Sequence, residues 1–206
     1  MSSPTVVDIF VEDQAHRDFL VPVLRRLAAE EDVPTIHRVR SAVGGHGRAL
    51  SELKLYQRLA KDLTPDLPQL LIVCIDANCS SFAKARKAIK DATGGPFSDR
   101  LVVACPDPHV ERWYVADPES FKEVVGRTPR VGRKKCVRDY YKNVLARTVR
   151  QAGHPVTLGG IEFAQEIVEQ MDFYRAGRND RSLKSFLDGL RNRLRLLRST
   201  EPPQKR

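Results

Sequence analysis

The sequence predicts an α/β protein whose sheet is mostly parallel and doubly wound, with a helical extension at its C-terminal end. Short apolar runs alternate with helical patterns at least three times in the first half of the chain, as they do in successive βαβ units. The runs Leu70–Ile75 and Leu101–Cys105 contain apolar residues without interruption. Such runs are typical of strands that are buried on both faces of a parallel sheet.

Local patterns predict the other elements of this half. Thr5–Val11 is rich in β-branched and apolar residues, which predicts the first strand. The residues from Phe19 to Leu27 place apolar side chains on one helical face, and Gly44–Gly47 interrupts the chain before a second helical pattern of leucines. The predicted order is strand 5–11, helix, strand 34–40, helix, strand 70–75, helix 82–92 and strand 101–105.

Beyond Trp113 the pattern becomes helical. Helices are predicted over residues 118–125, 137–151, 160–171 and 182–197. We therefore expect an α/β core over residues 1–125 and a basic helical extension, packed on that core, over residues 126–198. The last segment, 199–206, contains two prolines and no apolar residue, which predicts a disordered tail.

The composition indicates one soluble domain. The chain has 206 residues, of which 41% are hydrophobic, and this is enough for one core. No apolar run approaches the roughly 20 residues of a membrane helix, and the N-terminus lacks the pattern of a signal peptide. We expect a cytoplasmic protein that makes no contact with membranes. The four cysteines form no CxxC pair, so free thiols are expected.

The charge balance favours an acidic polymer as partner. The chain has 35 Lys and Arg residues against 26 Asp and Glu, a net charge of +9, which suits DNA or RNA. The excess is concentrated in residues 127–150, although a solvated helix face is the alternative for any single residue. Arg48 follows Gly44–Gly47, whose amides could receive a phosphate, with a plain flexible turn as the alternative. The candidate nucleic-acid-binding residues are Arg48, Arg133, Lys134, Lys135, Arg138 and Lys142.

Acidic side chains follow three of the predicted strands. Glu12 comes after the first strand, Asp76 after the central run, and Glu111 shortly after the run that ends at Cys105. Parallel strands present their carboxyl ends at one edge of the sheet. Carboxylates together with the amide oxygen of Asn78 suit Mg²⁺ or Mn²⁺. The alternative is that these residues cap helices or bind backbone amides.

Three segments carry a resemblance to a known family. The segments Val7–Glu12 and Leu71–Asn78 resemble the strands of the TOPRIM superfamily that carry its glutamate and its Asp-x-Asp pair. This domain is shared by topoisomerases, bacterial primases and nucleases of the overcoming-lysogenisation-defect type. The segment Pro106–Asp117 is similar to the Pro-x-x-Glu-x-Trp segment of small stand-alone TOPRIM-like proteins of bacterial defence islands. The resemblance covers residues 5–125.

The resemblance implies roles for the acidic residues. It implies that Glu12 acts as general acid or base and that Asp76, with Asn78, holds Mg²⁺. Two positions depart from the family pattern, because Asp13 stands where the family has Gly and Asn78 where it has the second acid. Loss of that charge is expected to lower metal affinity, unless Glu111 restores it at the same metal.

The resulting hypothesis is a metal-dependent, nuclease-like effector that cleaves DNA or RNA. The resemblance implies a role in phage defence beside a P-loop ATPase. One alternative is a catalytically weakened nucleic-acid-binding or regulatory subunit of an ATPase complex, and another is a protein-interaction subunit whose basic helices dock the ATPase. The sequence leaves open the strandedness of the substrate, the identity of the ATPase, and whether the chain forms a homo-oligomer.

Overall fold

The computed structural model describes residues 3–63 and 67–200 and contains a four-stranded sheet in the order β2-β1-β3-β4. All three strand pairings are parallel. The strands are β1 (Thr5–Val11), β2 (Thr35–Ser41), β3 (Leu70–Cys74) and β4 (Leu101–Ala104). The prediction of an α/β fold with a parallel sheet is confirmed.

Helices follow each strand, and more helices complete the C-terminal half. They are α1 (Gln14–Glu30), α2 (His46–Leu63), α3 (Phe82–Ala92), α4 (Glu111–Tyr114), α5 (Pro118–Val125), α6 (Tyr140–Gln151), α7 (Ala164–Gln170), α8 (Phe173–Asn179) and α9 (Arg181–Thr200). Within the described ranges, no helix combines the length and apolar character needed to cross a membrane.

Local chemistry explains where several helices begin and end. The side chain of Asp13 accepts a hydrogen bond from the backbone N–H of His16 and caps α1, and Ser81 caps α3 in the same way through Lys84. Helix α5 ends at Gly126, whose φ of 85° lies in the left-handed region that glycine adopts without strain. The bounds predicted for α3 and α5 are confirmed.

Both faces of the sheet are covered. On one face, Ile9 and Ile72 lie in a core cluster with Phe19 and other apolar residues of α1. On the other face, Phe10 and Val73 lie in a second cluster with residues of α2 and α3. Because successive strand residues point to opposite faces, both faces of the central strands need apolar residues. This explains the uninterrupted apolar run of β3.

The strand order reverses direction between β1 and β3. The chain runs from β1 outward to β2, then returns past β1 to form β3 and β4 on the other side. In open α/β sheets, such a reversal leaves a crevice at the carboxyl ends of the two strands concerned. The residues that follow Val11 and Cys74 therefore lie at the edge where a site is expected.

The C-terminal helices belong to the larger of these two clusters. Leu145, Ile167 and Phe186 lie in the same cluster of buried residues as Ile9. The Trp113 ring stacks on Phe186, with 5.6 Å between ring centroids and 6° between ring planes. The segment predicted as an extension over residues 126–198 thus packs directly against the sheet and α1.

Several predicted helix boundaries in this half are wrong. The helix predicted over residues 160–171 is α7, which spans Ala164–Gln170. Helix α6 begins at Tyr140 and not at residue 137, so Lys134–Cys136 lies in an irregular segment instead of opening a helix. This segment follows Pro129, contains Gly132, and ends at Asp139, whose φ is 54°; these residues disfavour a continuous helix. The short helices α4 and α8 were not predicted. Helix α9 continues through Thr200, two residues into the predicted tail, and residues 201–206 lie outside the described part of the chain.

Candidate metal centre

The carboxylates of Glu12 and Asp76 meet at the reversal point of the sheet. The backbone N–H of Glu12 donates to the carbonyl of Cys74 at 3.1 Å, which extends the pairing of β1 with β3 by one residue. The backbone N–H of Asp76 donates to Glu12 Oε2 at 3.2 Å. Neighbouring parallel strands end side by side, so two acids that are 64 residues apart in sequence come into contact. The structure thus brings these two predicted site residues together.

His16 completes this group and was missed by sequence analysis. Its Nδ1 lies 2.7 Å from Asp13 Oδ1, and its Nε2 lies 2.9 Å from Asp76 Oδ1. The side chain is only 1% exposed. The available sequence signal is the position of His16 in the first turn of α1, three residues after the capping Asp13. That turn directs the imidazole toward the carboxyl end of β3.

The pKa values of His16 and Asp76 are shifted in the directions that favour a charged pair. Burial acts to lower the pKa of His16, but the charge of Asp76 and the hydrogen bonds to Asp13 and Asp76 outweigh burial and raise this pKa well above its ordinary value. Burial acts to raise the pKa of Asp76, but the charge of His16 and the hydrogen bond from His109 bring it below its ordinary value. His16 in its protonated form donates a hydrogen bond to a carboxylate from each ring nitrogen.

His109 approaches Asp76 from the loop after β4. The N–H of Ala77 donates to the carbonyl of Pro106 at 2.8 Å, and the N–H of Asn78 donates to that of Pro108 at 2.9 Å. These bonds continue the parallel pairing beyond the strands and carry His109 to the site. Its Nδ1 lies 3.2 Å from Asp76 Oδ2, and this hydrogen bond raises the pKa of His109.

His46 closes the site from the N-terminus of α2. Its Nδ1 lies 3.1 Å from Glu12 Oε2, and this hydrogen bond raises the pKa of His46. The side-chain nitrogen of Asn78 lies 2.9 Å from the same Nδ1, so Asn78 contacts the site through His46. The His46 side chain is 49% exposed, whereas that of Glu12 is 11% exposed. His46 therefore lies between the carboxylates and solvent.

Glu111 lies beside this group without joining it. Burial raises the pKa of Glu111, and the charge of Asp76 contributes to the rise. The ligand atoms that converge, all within 4.8 Å of one another, belong to Glu12, His16 and Asp76. Sequence analysis expected Glu111 to join Glu12 and Asp76. Within the described residues, the third member of the converging group is His16 instead.

Glu12, His16 and Asp76 could hold a metal ion. A histidine ligand commonly donates its second ring N–H to a carboxylate, which fixes its orientation, and Asp13 is placed to accept that bond from His16. Carboxylates suit Mg²⁺ and Mn²⁺, while the imidazole nitrogen favours a transition ion over Mg²⁺. The donor set therefore fits a divalent ion that accepts both oxygen and nitrogen.

The candidate nucleic-acid-binding residues differ in their contacts. Lys135 Nζ lies 2.5 Å from Asp107 Oδ1, and Arg138 forms an ion pair with Asp139 at 3.4 Å. Four others, all exposed, have side chains that form no hydrogen bond or ion pair with the described residues. These are Arg48, Arg133, Lys134 and Lys142.

The glycine-rich loop before α2 does not present all its amides to solvent. The N–H groups of Val43 and Gly44 donate to the carboxylate of Glu52 at 2.7 and 2.9 Å. The Glu52 carboxylate thus accepts from one amide of Gly44–Gly47 and from the amide just before this segment. The flexible-turn interpretation of Gly44–Gly47 fits this arrangement better than a phosphate site.

The site is therefore built from two carboxylates at adjacent strand ends, the buried His16, and the flanking histidines His46 and His109. Comparisons of the chain with protein-family models, with curated proteins and with solved structures returned no match.

Proposed function

We propose that the protein is a metal-dependent phosphodiesterase that cleaves DNA or RNA. The convergence of Glu12, His16 and Asp76 at the reversal point of the sheet is the observation that carries this proposal. Glu12, His16 and Asp76 would hold a divalent ion, which would offset negative charge on the phosphate and act as a Lewis acid toward the attacking water. The net charge of +9 supports a polyanionic substrate.

The histidines are suited to proton transfer at this site. His46 and His109 each contact a carboxylate, and the raised pKa of each favours the protonated form near neutral pH. His46 is the more exposed of the two, so it is placed to donate a proton to a leaving oxygen. In this proposal, Glu12 orients His46 and helps to hold the metal ion. This role differs from that of general acid or base, which the TOPRIM resemblance implies for Glu12.

The choice of metal and the biological setting complete the proposal. Two carboxylates accommodate either Mg²⁺ or Mn²⁺, and the imidazole of His16 makes Mn²⁺ the better of the two. The resemblance of segments Val7–Glu12, Leu71–Asn78 and Pro106–Asp117 to TOPRIM motifs supports a cytoplasmic role in phage defence beside a P-loop ATPase.

Cleavage assays test the proposal directly. The purified protein is incubated with labelled single- and double-stranded DNA and RNA, with Mg²⁺ or Mn²⁺, alone and with an ATPase encoded beside it. Asp76→Ala should abolish cleavage and leave polymer affinity nearly unchanged, because the metal acts on charge that develops in the transition state. Asp91→Ala is the matched control, since Asp91 is an exposed acid on α3. Equal activity of Asp76→Ala and the control would contradict the proposal.

The variant Asn78→Asp tests the missing second acid. If Asn78 occupies a ligand position, the new carboxylate should tighten Mn²⁺ binding and keep or raise cleavage. The left-handed φ of 50° at Asn78 is tolerated by Asp as well as Asn. Unchanged Mn²⁺ affinity would show that this residue acts only through its contact with His46.

A second candidate function is that of a non-catalytic nucleic-acid-binding or regulatory subunit. The observation that favours it is the hydrogen-bonded chain Asp13–His16–Asp76–His109, in which both ring nitrogens of His16 have carboxylate partners. Such a chain stabilises its buried charges without an ion. Calorimetry separates the two functions, because a regulatory subunit of this kind binds no Mn²⁺ at the site and cleaves no substrate.

A further inference from the structure

A small pocket lies between the segment after α5 and helix α6. It has a volume of about 190 Å³, and buried Val144 and Thr148 form part of its lining. Arg127, Arg130 and Arg147 also line it, and none of its lining residues is acidic. Three arginines therefore line one small pocket.

These three arginines have no partner in the described chain. Arg127, Arg130 and Arg147 are exposed, and none of their side chains forms a hydrogen bond or ion pair there. Other arginines are paired, as with Arg112 and Asp180 at 2.8 Å and Arg195 and Glu31 at 2.9 Å. Like charges that share a pocket repel one another, so a bound anion would offset their repulsion.

The size and shape of the pocket indicate which anion fits. Pockets for whole cofactors and drug-sized molecules usually occupy roughly 300–1,000 Å³, so about 190 Å³ accommodates a single anionic group better than a nucleotide. The arginine side chain presents a planar fork of N–H donors that matches phosphate oxygens. Three such forks around one small space suit a phosphate group.

The helix that carries Arg147 also contacts the helix that carries Glu111. Helices α4 and α6 pack together, and the Arg112 guanidinium of α4 lies 5.8 Å from the centre of the Tyr141 ring of α6. A helix that lines the pocket thus packs against the helix of Glu111, which lies beside the metal centre.

We propose that Arg127, Arg130 and Arg147 form a phosphate-binding pocket that holds a backbone phosphate of the nucleic acid. The identity of the ligand as a polymer rests on the proposed function, whereas the phosphate chemistry rests on the pocket itself. The pocket fixes the position of the strand at a phosphate remote from the one that is cleaved. Such contacts set affinity and register and read no base sequence.

Binding in the absence of metal tests this pocket separately from catalysis. Affinity for a fluorescent single-stranded oligonucleotide is measured in EDTA at several salt concentrations. Arg147→Ala should weaken binding about tenfold, since a hydrogen-bonded contact with a charged group contributes about 1.5 kcal/mol. It should also flatten the slope of log K against log salt by about 0.7 for one lost phosphate contact.

Two variants serve as controls. Arg150→Ala removes the same charge from the same helix, but Arg150 does not line the pocket, so it should lower affinity by no more than about twofold. Arg147→Lys keeps the charge and loses the planar fork, and its affinity should fall between those of wild type and Arg147→Ala. Arg130→Ala repeats the test on the other wall, and thermal melting checks that each variant is folded.

The outcomes separate this pocket from the nuclease proposal. Equal affinities of Arg147→Ala and Arg150→Ala would overturn the phosphate pocket, even if the wild type cleaves nucleic acid. A selective loss in Arg147→Ala supports the pocket, even if the wild type cleaves nothing. Inorganic phosphate that displaces the oligonucleotide at equal concentration would identify free phosphate as the ligand and overturn the polymer assignment.

Discussion

His16 Nε2 lies 2.9 Å from Asp76 Oδ1, and this contact joins the first turn of α1 to the end of β3. The same nitrogen is the one that a metal ion would need, because Nδ1 is directed at Asp13. A proton and a metal ion therefore compete for a single atom of His16.

This competition predicts that Mn²⁺ binding releases a proton and strengthens as pH rises. The pKa of His16 is raised well above its ordinary value, so the ring is protonated near neutral pH and must lose a proton to coordinate. Affinity should rise by about tenfold per pH unit below that pKa for one proton released. Calorimetry in two buffers of different ionisation enthalpy measures the proton count. His16→Gln should lose both affinity and proton release, and a count of zero in the wild type would contradict the prediction.

The ion pair between Asp117 and Arg175 should stabilise the fold in a pH-dependent way. Asp117 Oδ1 lies 2.6 Å from Arg175 Nε, and the Asp117 side chain is fully buried. Burial acts to raise the pKa of Asp117, but hydrogen bonds from Arg175, Ser120 and the Asp172 N–H hold it below its ordinary value. Asp117→Asn should lower the free energy of unfolding by about 2 kcal/mol at neutral pH, because the half-exposed Arg175 loses the buried carboxylate that accepts its hydrogen bonds.

The loss of unfolding free energy in Asp117→Asn should depend on pH, because the pKa of Asp117 is lowered in the folded protein. A carboxylate with a lowered folded pKa contributes stability above its unfolded pKa, and this contribution is lost as pH falls through the folded pKa. Urea unfolding at about pH 7 and about pH 3 should show the difference between Asp117→Asn and wild type shrinking in acid. Glu119→Gln is the control, since Glu119 pairs with the same arginine but is 72% exposed, and it should change stability little. A difference that is constant with pH would rule out the ion pair as its source.

Ser182 of helix α9 forms hydrogen bonds to helix α4 and to the loop before it, and these bonds should stabilise the fold. Its Oγ accepts from Trp113 Nε1 at 2.8 Å and from the Asp107 N–H at 3.2 Å. Ser182→Ala leaves the buried indole N–H without this acceptor and should lower the free energy of unfolding by about 2 kcal/mol. Fluorescence of Trp113, the single tryptophan of the chain, reports the unfolding. Ser185→Ala on the same helix is the control, and an equal loss in both variants would contradict the assigned role.

Lys134 and Lys135 should differ in their contribution to nucleic-acid binding. Lys134 is exposed and has no partner in the described residues, whereas Lys135 is held by Asp107. Lys134→Ala should flatten the salt dependence of binding by about 0.7 to 0.9 in the log–log slope if it contacts one phosphate. Lys135→Ala should flatten it less, because its charge is already compensated. Filter binding over a range of salt concentrations measures both slopes, and identical slopes in wild type and Lys134→Ala would place the binding face elsewhere.

Local patterns in the sequence were sufficient to predict several strands and helices of the fold. The strand Thr5–Val11 and the helices Phe82–Ala92 and Pro118–Val125 were predicted with the bounds that the structure shows. Periodicity and capping residues act within a few residues of one another, so they can be recognised in the sequence. The placement of Glu12 and Asp76 at one edge was also predictable, because parallel strands end on the same side.

Tertiary structure alone decided which side chains complete the site. His16, His46 and His109 lie on three different elements and follow no shared spacing in the sequence. They meet because the order β2-β1-β3-β4 and the pairing beyond β4 bring those elements to one edge. Local periodicity records which residues of a segment are buried, whereas the neighbours of a side chain depend on strand order and register. For this reason the sequence placed Glu12 and Asp76 at one edge, and only the packed fold brought the histidines to them and left Glu111 outside the group.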